Sequence, residues 1–163
     1  MTGILQSLAK PPTGAAIFNM GKGVIIDSGT TATYLPAFLL RNFQDIFKSI
    51  TGFDYTGDKP ISLSPFQIRK IPNLVWTFEG INNNFLRINL LNKIPFLSTG
   101  SAGPVIVRMP FSNFIDSDGG GMYTFKVLLT EGSGTVLGAN FMSGYNMIFD
   151  VDGHRVGFAE SGR

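Results

Sequence analysis

The stretch of this sequence whose residue types could do chemistry is Asp27-Ser28-Gly29-Thr30, which follows directly on the apolar residues 23–26. A buried carboxylate is costly unless hydrogen bonds compensate for lost water. The Gly29 N–H can reach one oxygen of Asp27, since glycine permits close backbone approach, and the Thr30 hydroxyl can reach the other. These bonds would lower the pKa of Asp27 and burial would raise it, so its acidity is tunable. The four residues are also typical of a plain polar turn, and both interpretations remain open.

Two elements must position this turn. The stretch KGVIIDS predicts a short buried strand that ends at the acid. A helix is predicted over residues 36–52, because Pro36 suits a first helical turn and Gly52 suits a helix end. Its apolar residues recur at three- and four-residue spacing, so we expect the helix to pack under the sheet. They are Phe38, Leu39, Phe43, Ile46, Phe47 and Ile50.

The remainder of the chain predicts strands and turns, so the expected class is all-β with one substantial amphipathic helix. Residues 1–22 look irregular, and a second short helix is expected near residues 140–144. Alternating apolar positions around Asp152-Gly153 predict a hairpin. Strands are predicted in IPNLVWTFEG, FLRINLL, VIVRMPFSNFI and MYTFKVLLT, with a turn at Asn82–Asn84, a loop in NKIPFLSTGSAGP and a break at DSDGGG.

Composition excludes several classes of protein and site. A chain of 163 residues with 44% hydrophobic and 15% charged residues favours one folded domain over disorder. The absence of cysteine excludes disulfides, thiol chemistry and cysteine-based zinc sites. The net charge is +2 with no basic run, so no nucleic-acid partner is expected, and no apolar run of about 18 residues predicts a membrane span.

Other polar motifs are better interpreted as turns than as sites. His154, the one histidine, falls in the predicted hairpin turn. The stretches DVDGH and DSDGGG lack the ligand spacing and closing glutamate of a calcium loop, and GGGMYTF lacks the Lys-Ser/Thr of a phosphate loop. We therefore expect no metal and no cofactor.

Three motifs in order resemble the pepsin-like aspartic protease family. GVIIDSGTTATYLP is similar to the second catalytic motif of that family, IPNLVWTFEG to a strand of its second lobe, and TVLGANFMSGYNMIFDVDGHRVGFA to its closing segment. The resemblance covers most of residues 23–160. It implies an acid-protease lobe in which Val136-Leu137-Gly138 crosses behind the catalytic loop.

The resemblance also implies roles for individual residues. Asp27 would be one of two catalytic aspartates that activate water, with Gly29 and Thr30 fixing its carboxylate and Ser28 holding the catalytic loops of two lobes together. Ile25, Thr31 and Val136 would lie near the side chains of a peptide or protein substrate. The family suggests a secretory, vacuolar or extracellular location; the residues themselves leave it open.

The sequence departs from the family pattern in two respects. It contains one D-[ST]-G-[ST] unit, so residues 23–163 would form a C-terminal lobe whose partner, an N-terminal lobe, carries the second aspartate. Ala139 stands where many members have an aspartate, which should favour a lower pKa at Asp27. Two alternatives remain: a homodimeric protease with one motif per chain, and a non-catalytic lobe that serves as a binding or structural module.

Overall fold

The computed structural model describes Phe18, residues 21–78, Gly80 and residues 105–162. The predicted fold class is confirmed, because strands dominate and one substantial helix accompanies them. No helix in this part of the chain is long and apolar enough to cross a membrane. The strands are β1 Val24–Ile26, β2 Thr33–Pro36, β3 Ile61–Ser62, β4 Leu74–Phe78, β5 Val105–Met109, β6 Ile115–Gly119, β7 Met122–Phe125, β8 Val127–Glu131, β9 Thr135–Leu137, β10 Tyr145–Asp150 and β11 Arg155–Glu160. The α-helices are α1 Leu40–Thr51, α2 Pro65–Ile68 and α3 Ala139–Met142; short 3-10 helices span Ala37–Leu39 and Phe111–Asn113.

A four-stranded mixed sheet positions the Asp27 turn. Its strand order is β1-β9-β2-β8, with β9 parallel to β1 and antiparallel to β2, and β2 parallel to β8. The late strand β9 therefore lies between two early ones. The other described strands form a three-stranded sheet, β3-β7-β6, and two antiparallel pairs, β4-β5 and β10-β11.

Helix α1 lies within the range 36–52 where the sequence predicts a helix, but it begins only at Leu40. Pro36 ends β2, and Ala37–Leu39 form a 3-10 helix. Gly52 ends it in the left-handed conformation (φ 82°), and the Gly52 N–H donates to the Lys48 carbonyl at 2.8 Å. The predicted apolar face is wrong at both ends: Phe38 is 55% exposed and Ile50 is 43% exposed. Phe38 lies in the tighter 3-10 turn, whose three-residue period rotates it off the face that buries Phe43 and Phe47.

An aromatic cluster joins α1 to the β strands. Phe47 lies with its ring centroid 5.2 Å from Tyr55 and 5.4 Å from Phe125, and all three side chains are buried. The Tyr55 hydroxyl donates to the Val127 carbonyl of β8. Burying a phenylalanine contributes about 1.5–3 kcal/mol, so this cluster holds α1 under the sheet as the sequence predicts.

Two of the predicted strands are interrupted. VIVRMPFSNFI divides at Pro110, which has no N–H to donate and precedes the 3-10 helix between β5 and β6. MYTFKVLLT divides at Lys126, where the chain leaves β6 and joins β2: the Lys126 N–H donates to the Phe114 carbonyl, and the Lys126 carbonyl accepts from the Thr33 N–H.

Some boundaries of the remaining predictions also shift. IPNLVWTFEG contains β4, as predicted. The first four residues of DSDGGG belong to β6, and only Gly120 and Gly121 turn the chain. The short helix α3 begins one residue before the expected range. FLRINLL, the turn at Asn82–Asn84, the loop NKIPFLSTGSAGP and most of residues 1–22 lie outside the described residues.

The predicted C-terminal hairpin is present as β10-β11, but its loop has four residues, 151–154, rather than a two-residue turn. The Asp150 carboxylate accepts from the Gly153 N–H at 2.9 Å and from the Arg155 Nε at 2.6 Å. These bonds close the wider loop, and it is His154, not Gly153, that takes a positive φ (49°). His154 is exposed in this turn, as predicted.

Candidate active site

Asp27 is the first residue after β1, and the sheet fixes its main chain. The Asp27 N–H donates to the Leu137 carbonyl of β9 at 3.0 Å, continuing the parallel pairing of β1 with β9 by one residue. The Thr30 N–H donates to the Asp27 carbonyl at 3.3 Å and closes the turn that follows. The carboxylate therefore stands on a strand end rather than on a free loop.

Both oxygens of the Asp27 carboxylate accept hydrogen bonds from this turn. The Gly29 N–H donates to Oδ1 at 2.9 Å, and the Thr30 hydroxyl donates to Oδ2 at 2.6 Å. These are the two donors that the sequence suggests. The Thr30 hydroxyl, and after it the Gly29 N–H, lower the pKa of Asp27 below its ordinary value, while burial acts weakly in the opposite direction. In this chain the group is a fixed and accessible carboxylate.

The segment after β9 packs against the back of the turn. A Cβ on Gly138 would lie 2.2 Å from the Ala32 carbonyl oxygen and 2.5 Å from that of Thr30. Only glycine permits this approach. It brings the Ala139 N–H to 2.7 Å from the Thr30 carbonyl, which accepts its hydrogen bond.

The other residues singled out in the sequence lie around Asp27 with different exposure. Ser28 and Thr31 are exposed, and Ile25 is 41% exposed on β1. Val136 pairs with Ile25 in the sheet but is only 9% exposed, since β9 has a neighbour on each side. Ala139 is exposed at the start of α3.

Sequence reasoning missed one polar residue behind the turn, Asn140. Its side chain accepts from the Thr33 hydroxyl at 2.9 Å and donates to the Lys126 carbonyl at 2.8 Å. The Asn140 N–H also donates to the Thr31 carbonyl at 3.1 Å. No local pattern could have revealed this residue, because Thr33 and Asn140 are 107 positions apart.

The arrangement can present one carboxylate as a proton acceptor or as one member of an acidic pair. Across the ranges 21–78 and 105–162, no group of three or more His, Asp or Glu residues could hold a metal ion. The polar groups brought together at this site are the Asp27 carboxylate, the Gly29 N–H and the Thr30 hydroxyl.

A family model and two curated relatives all describe aspartyl proteases. The sequence model described as eukaryotic aspartyl protease matches residues 11–161. A probable aspartyl protease of Arabidopsis thaliana is 29% identical over 150 residues, covering 87% of this chain, and aspartyl protease family protein 2 of the same plant is 27% identical over 164 residues, covering 93%. In both cases the chain spans 29% of the length of the curated relative.

Proposed function

Because this chain belongs to the eukaryotic aspartyl protease family, we propose that residues 23–163 act as the C-terminal lobe of a pepsin-like aspartic endopeptidase. One observation carries the proposal: both oxygens of Asp27 are held by donors of its own turn, at the end of a sheet strand. A carboxylate of fixed orientation is what a shared-proton pair requires from each partner.

The second carboxylate would come from an N-terminal lobe, on the same polypeptide or on another chain. Two carboxyl groups about 3 Å apart cannot both ionise, so the pair holds one proton between them and titrates as a unit. The ionised member accepts a proton from water as the water oxygen attacks the scissile carbonyl carbon. The protonated member gives its proton to the carbonyl oxygen, and a tetrahedral diol results. The carboxyl group that took the proton from water then gives it to the amide nitrogen, the other carboxylate takes a proton from a diol hydroxyl, and the C–N bond breaks to leave a carboxylic acid and an amine.

Other residues near Asp27 would serve contacts rather than chemistry. Ser28 is exposed next to Asp27 and would bind the catalytic loop of the other lobe. Ile25 and Thr31 offer exposed surface to the side chains of a peptide substrate. Val136, which is largely buried, would act mainly by supporting Ile25 from the next strand.

The test is peptide cleavage in the acid range by the chain alone and by the chain combined with a candidate N-terminal lobe. Substrates carry apolar residues on both sides of the scissile bond. Asp27→Asn keeps the shape of the side chain and removes the base, so the rate should fall about 10²- to 10⁴-fold. Asp150→Asn is the matched control, because Asp150 also accepts from a glycine N–H but lies at the end of β10, in the C-terminal hairpin.

Each outcome decides between the candidate functions. Cleavage that needs both lobes and is lost in Asp27→Asn supports the proposal. Cleavage by the chain alone that is lost in Asp27→Asn replaces it with the homodimeric protease. Cleavage that survives Asp27→Asn refutes the catalytic assignment, and no cleavage in any pairing favours a non-catalytic lobe.

A further inference from the structure

The side chain of Asn140, in the first turn of α3, lies between β2 and the start of β8. It is not one of the two donors to the Asp27 carboxylate, which are the Gly29 N–H and the Thr30 hydroxyl. We propose that Asn140 is a positioning residue for Asp27: its carboxamide fixes the main chain of residues 30–33, and this main chain holds the Thr30 hydroxyl against the carboxylate. The catalytic consequence rests on the proposed function, but the geometric claim stands independently of it.

The carboxamide completes a closed set of three hydrogen bonds, here called the Asn140 network. The Thr33 hydroxyl donates to Asn140 Oδ1 at 2.9 Å, and Asn140 Nδ2 donates to the Lys126 carbonyl at 2.8 Å. The Thr33 N–H donates to the same Lys126 carbonyl at 2.9 Å. One side chain must accept and donate at once in this network, which an amide does and neither an apolar side chain nor a carboxylate can do.

The network reaches the carboxylate through two further contacts. The Asn140 N–H donates to the Thr31 carbonyl, and the neighbouring Ala139 N–H donates to the Thr30 carbonyl. Thr30 in turn donates its hydroxyl to Asp27 Oδ2 at 2.6 Å. The first two residues of α3 thus hold both ends of the segment from Thr30 to Thr33.

Burial makes the network hard to replace with water. Thr33 is fully buried, so if its hydroxyl loses its acceptor, water cannot replace that hydrogen bond. The segment would relieve this cost by moving, and movement at Thr33 is transmitted to Thr30 because only two residues separate them. The expected result is a looser hold on the Asp27 carboxylate.

The first experiment is carried out on the folded chain and needs no catalysis. The variants Asn140→Leu and Thr33→Val each remove one side of the network, and the titration of the Asp27 carboxyl carbon is followed by ¹³C NMR. In both variants the pKa of Asp27 should rise toward that of an ordinary aspartate. Exchange of the Ala139 amide hydrogen should become about tenfold faster, as expected for the loss of one net hydrogen bond. Thr33→Ser keeps the hydroxyl and should behave as the parent chain does.

Asn113→Leu is the matched control. Asn113 is also partly buried and donates from Nδ2 to a main-chain carbonyl, that of Ser143, at 2.7 Å. Loss of this hydrogen bond should lower the free energy of unfolding without changing the titration of Asp27. If Asn140→Leu does not fold, the near-isosteric Thr33→Val decides the question.

An Asp27 titration identical to that of the parent chain in the folded variants overturns the proposal. Where an active pairing with an N-terminal lobe exists, Asn140→Leu should lower kcat about 10- to 100-fold and leave KM within about twofold, because the group that reacts is misplaced. An equal fall in kcat for Asn140→Leu and for the control Asn113→Leu would contradict a positioning role for Asn140. Loss of cleavage in Asp27→Asn tests the proposed function, whereas the NMR titration tests Asn140, so the two can fail separately.

Discussion

Replacing Gly138 by alanine should damage the candidate site more than any other single-methyl change in its surroundings. Gly138 has φ −82° and ψ −171°, an extended conformation that alanine adopts freely, so the backbone itself is not strained. The obstacle is space: the new Cβ would lie 2.2 Å from the Ala32 carbonyl oxygen and 2.5 Å from that of Thr30.

The magnitude follows from these two distances. Real Cβ atoms essentially never lie closer than 3.0 Å to such atoms, so relief requires a main-chain displacement of close to 1 Å. Overpacking of this kind costs about 1–3 kcal/mol. Separation of the segments also stretches the Ala139 to Thr30 hydrogen bond, worth about 1 kcal/mol. The free energy of unfolding should therefore fall by about 3 kcal/mol, a large part of the roughly 5–15 kcal/mol typical of a domain.

Urea denaturation at neutral pH measures this loss. Gly132→Ala is the control, because its Cβ would meet nothing within 4 Å and its φ is not positive; its effect should stay within about 0.5 kcal/mol. If Gly138→Ala lies within about 1 kcal/mol of this control, the close approach of the two segments is not a constraint and the reasoning fails.

Three further predictions concern the core, a buried phenol and the response to acid. By urea denaturation, Phe47→Ala should cost about 3–5 kcal/mol, whereas Phe38→Ala, at a 55% exposed position, should stay within about 0.5 kcal/mol. Burial and, less strongly, the charge of Asp58 raise the pKa of Tyr55, so one phenol should escape alkaline spectrophotometric titration until unfolding. Tyr55→Phe leaves the Val127 carbonyl without that donor and should cost about 1–2 kcal/mol in the same denaturation assay. Because the folded pKa of Asp27 lies below its ordinary 3.8, this carboxylate contributes stability above about pH 4 that is lost as the pH falls through the folded pKa. Urea titrations from pH 5 to pH 2 should therefore show a shallower loss of stability for Asp27→Asn than for the parent chain, and equal slopes would contradict this.

The features predictable from sequence are those whose causes lie within a few residues. The donors to Asp27 are two and three positions away, so residue types alone suggest the geometry. The end of α1 follows from the conformational freedom of Gly52, and the C-terminal hairpin follows from its alternating pattern. In each case local chemistry and tertiary structure favour the same result.

The features that sequence reasoning missed depend on distant partners. Nothing near Lys126 marks it as the point where a strand changes sheets; its neighbours in space, Phe114 and Thr33, decide it. The role of Asn140 is also set by distant partners, Thr33 and Lys126. Helical spacing predicts that Phe38 and Ile50 lie on the buried face, but Phe38 falls in a 3-10 turn and Ile50 near the helix end, where that spacing no longer describes burial.

The insertion of β9 between β1 and β2 has a consequence for the order in which this protein can fold. During synthesis Asn140 emerges 107 residues after Thr33. At about 5–20 residues per second, the ribosome needs roughly 5–20 s to supply it. Throughout that interval β1 and β2 lack the strand that lies between them, and an early pairing of the two with each other would have to open before β9 could enter. Completion of the Asp27 turn is thus a late event that depends on a long-range contact, and such contacts form slowly. Until β9 is added, the backbone edges of β1 and β2 that pair with it in the folded chain lack their partner.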